Sequence, residues 1–370
     1  MPREQRMLAY LESVVYDNRS GPAAWLIRHL LSLLSSIYSA SIKLYIFFFD
    51  SGIRKRHRLG RPVISIGNIT VGGTGKTPVV QYVVRELLSV SKRPAILSYG
   101  YGSALAGRYG VVSDRDHVIL DASMAGDEPV MLAESLPGCP VIVCRHRHIS
   151  GKRAISEFDA DVLVLDDGFQ VWKLHRDLDI VLLAADNLFD NGRTLPAGKL
   201  REPISALKRV GCIIVTGCGD PEFRENAAER IRNSGVDSPI FYAEYIPQAF
   251  IELSSGRVHD SDILRGNRVL AVSSIGNPSS FEKTLESTGA QMVGTHKYPD
   301  HHMYTEDDVS EIMSDAISAS ADVIVTTMKD AVKLTEFLFD LPVYVLTIKV
   351  SLSDKDEFRE LLTKIMRDKG

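Results

Sequence analysis

The chain has 370 residues, of which 45% are hydrophobic and 24% are charged. This composition is that of a folded globular protein, and it argues against a disordered chain or a coiled coil. The length allows one large domain or two medium domains.

The net charge of −4 is distributed unevenly along the chain. Residues 1–61 contain ten Lys/Arg and four Asp/Glu, a net charge of +6, which leaves −10 for the remainder. A basic beginning on an acidic protein predicts an anionic surface as partner. Nucleic-acid binding has no support beyond a short basic cluster at 54–58. The four cysteines lack zinc-site spacing, so we expect core thiols in a reducing compartment.

Residues 22–49 predict a long amphipathic helix. Its polar residues recur every three or four positions and form one stripe, while most leucines lie off that stripe. The stripe consists of Arg28, Ser32, Ser35, Ser39 and Lys43. Such a helix followed by basic residues is typical of a segment lying in a membrane interface. A helix packed on its own domain and a single spanning anchor are the alternatives.

The stretch at 64–80 predicts a strand, a glycine-rich turn and a helix, ending the turn in Gly-Lys-Thr. Backbone N–H groups of such a turn surround phosphate oxygens, the lysine reaches the β- and γ-phosphates, and the threonine hydroxyl holds Mg²⁺. Thr70 stands where the first glycine of this motif belongs. The alternative is a tight turn without a ligand. The predicted ATP-binding residues are Gly72, Gly73, Thr74, Gly75, Lys76 and Thr77.

Short apolar runs separated by helical stretches follow, which predicts a parallel sheet covered on both faces. Asp166 and Asp167 come directly after one such strand, at the edge where ligands gather. We therefore expect them to hold Mg²⁺ opposite the phosphate loop, with a plain strand-ending turn as the alternative. Arg201 and Glu202 lie in a proline-bounded loop, where arginine neutralises phosphate charge and glutamate supports the metal.

Two further motifs suit proton transfer. Asp127 and Glu128 begin a helix, where acidic residues are favoured by the helix dipole alone. The functional alternative is that a carboxylate here is aimed at the γ-phosphate region and serves as a general base. Asp300, His301 and His302 are contiguous, a spacing that does not suit zinc. A histidine that couples to a distant carboxylate and tunes its basicity fits better.

Seven motifs together resemble the tetraacyldisaccharide 4′-kinases, the lipid A 4′-kinases of Gram-negative bacteria. In chain order they are GNITVGGTGKTP, GDEP, LDDGFQ, LPAGKLREP, IGNPSSF, PDHH and TMKDAVKL. The displaced glycines of the phosphate loop belong to this family's pattern. The resemblance covers roughly residues 20–350. It implies transfer of the γ-phosphate of ATP to the 4′-hydroxyl of a tetraacylated glucosamine disaccharide 1-phosphate, at the cytosolic face of the inner membrane.

The resemblance also implies residue roles. Asp127 and His301 match the catalytic pair, Thr74 to Thr77 match the phosphate loop, and Asp166, Asp167 and Glu202 match the magnesium region. Arg201 matches a phosphate-contacting residue, Arg147 a basic residue facing the lipid headgroup and Tyr101 an aromatic one. We also expect Glu128 on the phosphate and substrate side. This sequence departs from the family pattern at Tyr99, in place of arginine, at Val171, in place of histidine, and at Met328, in place of glutamate.

The expected fold is a P-loop NTPase-like parallel sheet core with a second, smaller α/β domain and an N-terminal amphipathic membrane helix. We expect a membrane-associated segment at 1–50, the kinase core at 51–239, an extended linker or hairpin at 240–260 and the smaller domain at 261–370. His301 then lies on a different domain from Asp127, so domain closure would assemble the pair.

Three other functions fit the sequence less well. A P-loop GTPase should carry an Asn-Lys-x-Asp guanine reader, but Lys329 and Asp330 are adjacent. A kinase of a soluble substrate does not explain the amphipathic helix. A non-catalytic scaffold does not need the acidic and basic site residues.

Overall fold

The computed structural model describes residues 10, 13–16, 20–105, 107–219, 221–300 and 302–367. In these residues, thirteen strands form one mostly parallel sheet with helices on its faces. The strands are β1 Val63–Asn68, β2 Pro94–Ser98, β3 Gly110–Ser113, β4 Val141–Val143, β5 Val162–Asp166, β6 Leu178–Ala184, β7 Cys212–Thr216, β8 Ile240–Glu252, β9 Val258–Asp260, β10 Arg268–Ser273, β11 Gln291–Lys297, β12 Val323–Thr327 and β13 Val343–Leu352. This architecture confirms the predicted α/β class.

Most of the helices lie between consecutive strands in the chain, whereas the first precedes β1 and the last follows β13. They are α1 Pro22–Asp50, α2 Lys76–Ser89, α3 Ala122–Ala125, α4 Asp127–Ser135, α5 Arg147–Phe158, α6 Pro221–Asn233, α7 Pro278–Glu286, α8 Glu306–Ser318, α9 Met328–Leu334 and α10 Lys355–Arg367. Two 3₁₀ segments, Ala185–Asn187 and Ile204–Arg209, lie between strands.

The strand order is β11-β10-β12-β13-β8-β7-β6-β1-β5-β2-β4-β3, with β9 paired to β8. Strand β1 lies between β5 and β6, parallel to both. The phosphate loop after β1 and the aspartates after β5 therefore leave neighbouring strands at the same edge of the sheet. This placement brings together the two motifs on which the sequence prediction depends.

Helix α2 packs its apolar face on the centre of the sheet. Val79, Val80, Val83 and Val84 are fully buried there, at the i, i+1, i+4, i+5 spacing of one helix face. Each buried aliphatic side chain contributes about 1.5–3 kcal/mol, so the start of α2 is held firmly under the phosphate loop.

Strand β8 belongs to both parts of the sheet. Its beginning pairs in parallel with β7, from Ile240 to Ala243. From Ala243 to Glu252 it pairs antiparallel with β13. The sheet is thus continuous from the phosphate loop to the segment around 300, and the division into domains stays a prediction.

Helix α1 lies on the body of the protein with the face that contains Ser35 and Tyr38 turned inward. The buried Ser35 hydroxyl donates to the Thr194 carbonyl oxygen at 2.7 Å, and the Tyr38 hydroxyl donates to the Arg201 carbonyl oxygen at 2.9 Å. Of the predicted polar stripe, Ser35 thus bonds to the body of the protein and Arg28 to the Val14 carbonyl oxygen at 3.1 Å, whereas Lys43 is exposed.

The apolar face of α1 points away from the protein. We call this surface the outer face of α1; its exposed residues are Trp25, Leu26, Leu30, Leu33, Leu34, Ile37, Leu44 and Phe47. An exposed apolar surface of this size marks an interaction site. By length and composition, α1 is also long and apolar enough to cross a membrane.

All four cysteines, Cys139, Cys144, Cys212 and Cys218, are buried and unbridged. This burial agrees with the prediction that they are small core residues.

Candidate active site

The phosphate loop joins β1 to α2 in a conformation that only glycine tolerates at Gly75. Gly75 has a φ of 73°, and a Cβ there would lie 1.5 Å from the Tyr245 hydroxyl oxygen. A Cβ on Gly73 would lie 2.9 Å from the Cα of Gly276. The loop is thus enclosed by β8 on one side and by the turn after β10 on the other.

Lys76, the first residue of α2, points back toward the end of the sheet. Its Nζ lies 3.4 Å from the Asn68 amide oxygen and 3.7 Å from a carboxylate oxygen of Asp167. The side chain of Asp167 also accepts hydrogen bonds from the Arg201 guanidinium at 2.9 and 3.2 Å. One carboxylate therefore orients two cations toward the space above the phosphate loop.

Asp166 and Asp167 point in different directions because Asp167 adopts a left-handed backbone conformation, with a φ of 49°. Asp166 is buried, and one of its carboxylate oxygens accepts a hydrogen bond from the Ser98 hydroxyl at 2.9 Å. Burial, aided by the charges of Glu128 and Asp167, raises the pKa of Asp166 to about 6. Burial also opposes ionisation of Asp167, but Lys76 and Arg201 outweigh it and lower the pKa of that carboxyl.

These carboxylates fit a magnesium ion. Hard divalent cations prefer carboxylate and hydroxyl oxygens, and Asp166 is crowded by two other acidic side chains. In addition, the hydroxyl of Thr74 is buried without a hydrogen-bond partner. The described residues contain no cluster of three His, Cys, Asp or Glu that could hold a metal alone, so nucleotide phosphates would have to complete the site.

We expect Asp166→Asn to stabilise the metal-free protein at pH 7.5 by about 1–3 kcal/mol, since a shift from 3.8 to about 6 represents about 1.4 kcal/mol per pKa unit. Because burial raises this pKa above its unfolded value, ionisation of Asp166 destabilises the fold. The gain should be full above about pH 6 and vanish below about pH 4. Urea unfolding with a chelator at several pH values measures it. An unchanged or lowered stability at pH 7.5 would contradict the assigned environment.

Asp127 and Glu128 begin α4 and meet two lysines of α9. The Lys333 ammonium lies 3.5 Å from an Asp127 carboxylate oxygen, and the Lys329 ammonium lies 3.7 Å from a Glu128 carboxylate oxygen. Lys329 also forms an ion pair with Asp300 at 2.8 Å. Helix α9 therefore connects the predicted base to the segment that precedes His301.

Helix α9 itself is held by a buried carboxylate. Asp330 is fully buried and accepts hydrogen bonds from the Ser274 backbone N–H at 3.0 Å, the Ser274 hydroxyl, and the Thr327 hydroxyl at 2.7 Å. Buried carboxylates with this many donors fix the geometry around them. The hydrogen bonds of Asp330 therefore also fix the backbone that carries Lys329 and Lys333.

The predicted histidine partner, His301, lies outside the described residues. The Nε2 atom of its neighbour His302 lies 3.0 Å from a carboxylate oxygen of Asp308. The His302 ring also stacks on Tyr298, with ring centroids 4.5 Å apart. The Lys333 ammonium donates to the His302 carbonyl oxygen at 3.1 Å. The backbone on the C-terminal side of position 301 is thereby tied to the same lysine that faces Asp127.

Arg147 is buried at the start of α5. Its guanidinium donates to the Cys144 carbonyl oxygen and lies 5.6 Å from the ring centroid of Tyr99. Burial lowers its pKa, and the charges of Asp166 and Asp167 act in the opposite direction. Tyr99, which departs from the family pattern, thus packs with the arginine assigned to the lipid headgroup. Tyr101 is largely exposed nearby, at 79%.

Glu202, also predicted to bind the metal, has different surroundings from Asp166 and Asp167. It is buried and pairs with Arg209 at 2.8 Å, while burial raises its pKa and Arg209 opposes that rise. Arg209 in turn stacks on Phe169 and Trp172. Its role at the metal stays a prediction.

The sequence reasoning missed Lys329 and Lys333 as site residues. Their spacing of four on a short helix was available, since it places two ammonium groups on one helix face. What the spacing alone does not show is which carboxylates they meet across the sheet.

The strand–glycine loop–helix unit, with aspartates on the neighbouring strand, defines a P-loop nucleotide-binding protein with the parts of a phosphotransferase. A family model described as LpxK, tetraacyldisaccharide-1-P 4′-kinase, matches residues 27–367. The chain therefore belongs to the tetraacyldisaccharide 4′-kinase family. Members of this family phosphorylate the lipid A precursor at its 4′ position with ATP, and this is the activity of the chain, as the sequence motifs predicted.

Individual relatives agree with this assignment. A tetraacyldisaccharide 4′-kinase of Syntrophus aciditrophicus is 41% identical over 92% of this chain and 93% of the relative. One from Geobacter metallireducens is 38% identical over 92% and 99%, respectively. The crystal structure of LpxK from Aquifex aeolicus in complex with ATP has a TM-score of 0.73 and 30% identity, covering 92% of this chain and 99% of that one.

Proposed function

We propose that the chain carries out its reaction at the cytosolic surface of the inner membrane, with Mg²⁺, and that Asp127 is the general base. The observation that carries this proposal is the convergence of Lys76, Asp167 and Arg201 at the phosphate loop. Asp127 and Glu128 lie at the start of α4, where they form ion pairs with Lys333 and Lys329 of α9.

In the proposed reaction, the Asp127 carboxylate accepts the proton of the acceptor 4′-hydroxyl. The hydroxyl oxygen then bonds to the γ-phosphorus of ATP, and the bond from that phosphorus to the β–γ bridging oxygen breaks, leaving ADP. His301 would raise the effectiveness of Asp127 as a base.

The cations act on the developing phosphate charge. Lys76 would contact the β- and γ-phosphates, and Arg201 would neutralise charge on the transferring group. Asp166, Asp167 and Thr77 would hold Mg²⁺, with Glu202 in support. Bound there, the ion would neutralise charge on the β- and γ-phosphate oxygens.

Phosphate transfer from γ-labelled ATP in detergent micelles tests the proposal. Tetraacyldisaccharide 1-phosphate is compared with the same lipid methylated at its 4′-oxygen. Label should enter only the lipid with the free 4′-hydroxyl, and only when Mg²⁺ is present. Label in the blocked lipid, or transfer that survives a chelator, would overturn the assignment of acceptor atom or metal.

Lys333 is expected to position Asp127, since its ammonium bridges that carboxylate and the His302 carbonyl oxygen. Lys333→Met should lower kcat about 10- to 10²-fold through misplacement of the base, with little change in the KM for ATP. Lys364→Met, at an exposed position on α10, is the control. Lys333→Arg should restore part of kcat. A correctly folded Lys333→Met variant with unchanged kcat would contradict the role.

The outer face of α1 supports membrane association. We expect Leu33→Gln together with Ile37→Gln to reduce binding to phospholipid vesicles about 10-fold or more, because each removes exposed apolar area from the bilayer contact. Vesicle sedimentation measures the loss. Both side chains face away from the protein, so ATP binding should be unchanged. Ser36→Gln, on the same helix and also exposed, should bind vesicles like the wild type.

A further inference from the structure

An open cavity of about 640 Å³ lies at the end of α1, apart from the phosphate loop. We call it the basic pocket. Its lining consists of Phe49, Arg54, Lys55, His57, His146, His148, Ile149 and Lys173. Six of these eight side chains are cationic or become cationic on protonation. The proposed phosphate transfer does not use any of these eight side chains.

The chain holds the wall of this pocket in place with backbone contacts. The His57 N–H donates to the Lys173 carbonyl oxygen at 2.8 Å, and the His175 N–H donates to the His57 carbonyl oxygen at 2.9 Å. The imidazole of His57 also stacks on that of His148, with ring centroids 3.9 Å apart and planes inclined by 13°. Segments distant in sequence therefore converge on one defined site.

Within the described part of the chain, three cations of the pocket lack an acidic partner. Arg56 next to the pocket pairs with Asp50 at 2.6 Å, whereas no described carboxylate oxygen lies within 4 Å of the charged groups of Arg54, Lys55 or Lys173. Burial lowers the pKa of His148, and the charges of His57, His146 and Lys173 lower it further. Groups that repel one another in this way are stabilised by a bound anion.

The position of the pocket specifies where that anion comes from. Phe49 in its lining belongs to the last turn of α1, and the exposed apolar residues Phe47 and Ile53 flank it. A bilayer that covers the outer face of α1 would bring lipid headgroups to this level. Arg147 stands between two of the pocket histidines but extends inward to Tyr99 and the charges of Asp166 and Asp167. The first turn of α5 thus borders both the pocket and the transfer site.

We propose that the basic pocket binds the phosphate group that the acceptor lipid already carries, while the opposite end of the same headgroup reaches the transfer site. This proposal rests on the proposed function, and on the 1-phosphate in the description of the family's acceptor. A phosphate monoester matches the pocket because it offers three acceptor oxygens and up to two negative charges to lysine, arginine and imidazole donors.

Affinity for the acceptor, measured without ATP, tests the proposal independently of catalysis. Dissociation constants are compared for tetraacyldisaccharide with and without its 1-phosphate. Wild type should bind the phosphorylated lipid about 10-fold more tightly or better. In the double variant Lys55→Gln/Lys173→Gln, this ratio should fall to about threefold or less. Lys364→Gln should keep the wild-type ratio.

A second variant, His148→Gln, should lower the ratio in the same direction and guards against a folding defect in the first. An unchanged ratio in both variants would overturn the proposal. Equal losses for both lipids, together with weaker binding to vesicles of phosphatidic acid, would assign the cations to bulk membrane lipid and also overturn it. If wild type instead binds as expected but transfers no phosphate, the proposed function fails while the pocket assignment stands.

Discussion

Replacing Asp127 by asparagine is expected to lower kcat by about 10² to 10⁴, the usual contribution of a positioned general base. Asparagine keeps the size of the side chain and can still face Lys333, but it cannot accept the hydroxyl proton. The affinity for ATP should therefore change little. Single-turnover transfer to the acceptor, with ATP affinity measured separately, distinguishes loss of chemistry from loss of binding.

Glu134→Gln is the matched control for this variant, since Glu134 lies on the same helix, α4, at an exposed position. It should retain wild-type kcat. If Asp127→Asn kept more than about a tenth of the wild-type rate, another group would have to be the base. Asp166 would be the first candidate, because its pKa of about 6 is closer to neutrality than that of an ordinary carboxyl.

The second large effect is expected for Lys76→Met, with kcat about 10²- to 10³-fold lower, as for the loss of one preorganised charge-stabilising donor. Methionine fills a similar volume but leaves Asn68 and Asp167 without their shared cation. ATP should also bind more weakly, which separates this variant from Asp127→Asn. Isothermal titration and transfer assays measure the two quantities.

Lys92→Met serves as control for Lys76→Met, because Lys92 lies just beyond the other end of α2. Its rate and ATP affinity should match the wild type. A Lys76→Met variant that lost ATP affinity alone, with kcat intact at saturating ATP, would limit Lys76 to ground-state binding.

The core of the site could be predicted because its signals are local. Gly75-Lys76-Thr77 follows a buried strand directly, and Asp166 and Asp167 follow another. In a parallel sheet both strand ends face the same edge, so their proximity follows from the chain alone. The helical period likewise separated the stripe containing Ser35 from the leucines of α1.

The remaining contacts depend on tertiary structure. The inward docking of Ser35 requires Thr194, which is 159 residues away along the chain. The pairs between Lys333 and Asp127 and between Lys329 and Glu128 join helices on either side of β8. Nor could sequence spacing show that Glu202 faces Arg209. Such partners are set by tertiary packing, over long sequence distances or, for Glu202 and Arg209, within one irregular segment, which a helical or strand period does not encode.

The shared strand β8 has a mechanical consequence for the enzyme. Its first residues are hydrogen-bonded to β7 and the remainder to β13. The two parts of the sheet are therefore joined by continuous strand pairing rather than by a flexible linker. Separating Gly73 from Gly276 to admit ATP would then require the sheet to twist at β8, and this distortion of the strand pairing would raise the energy of the open state. We therefore expect the cleft between Gly73 and Gly276 to close again after each exchange of nucleotide, without a separate group of residues that holds it closed.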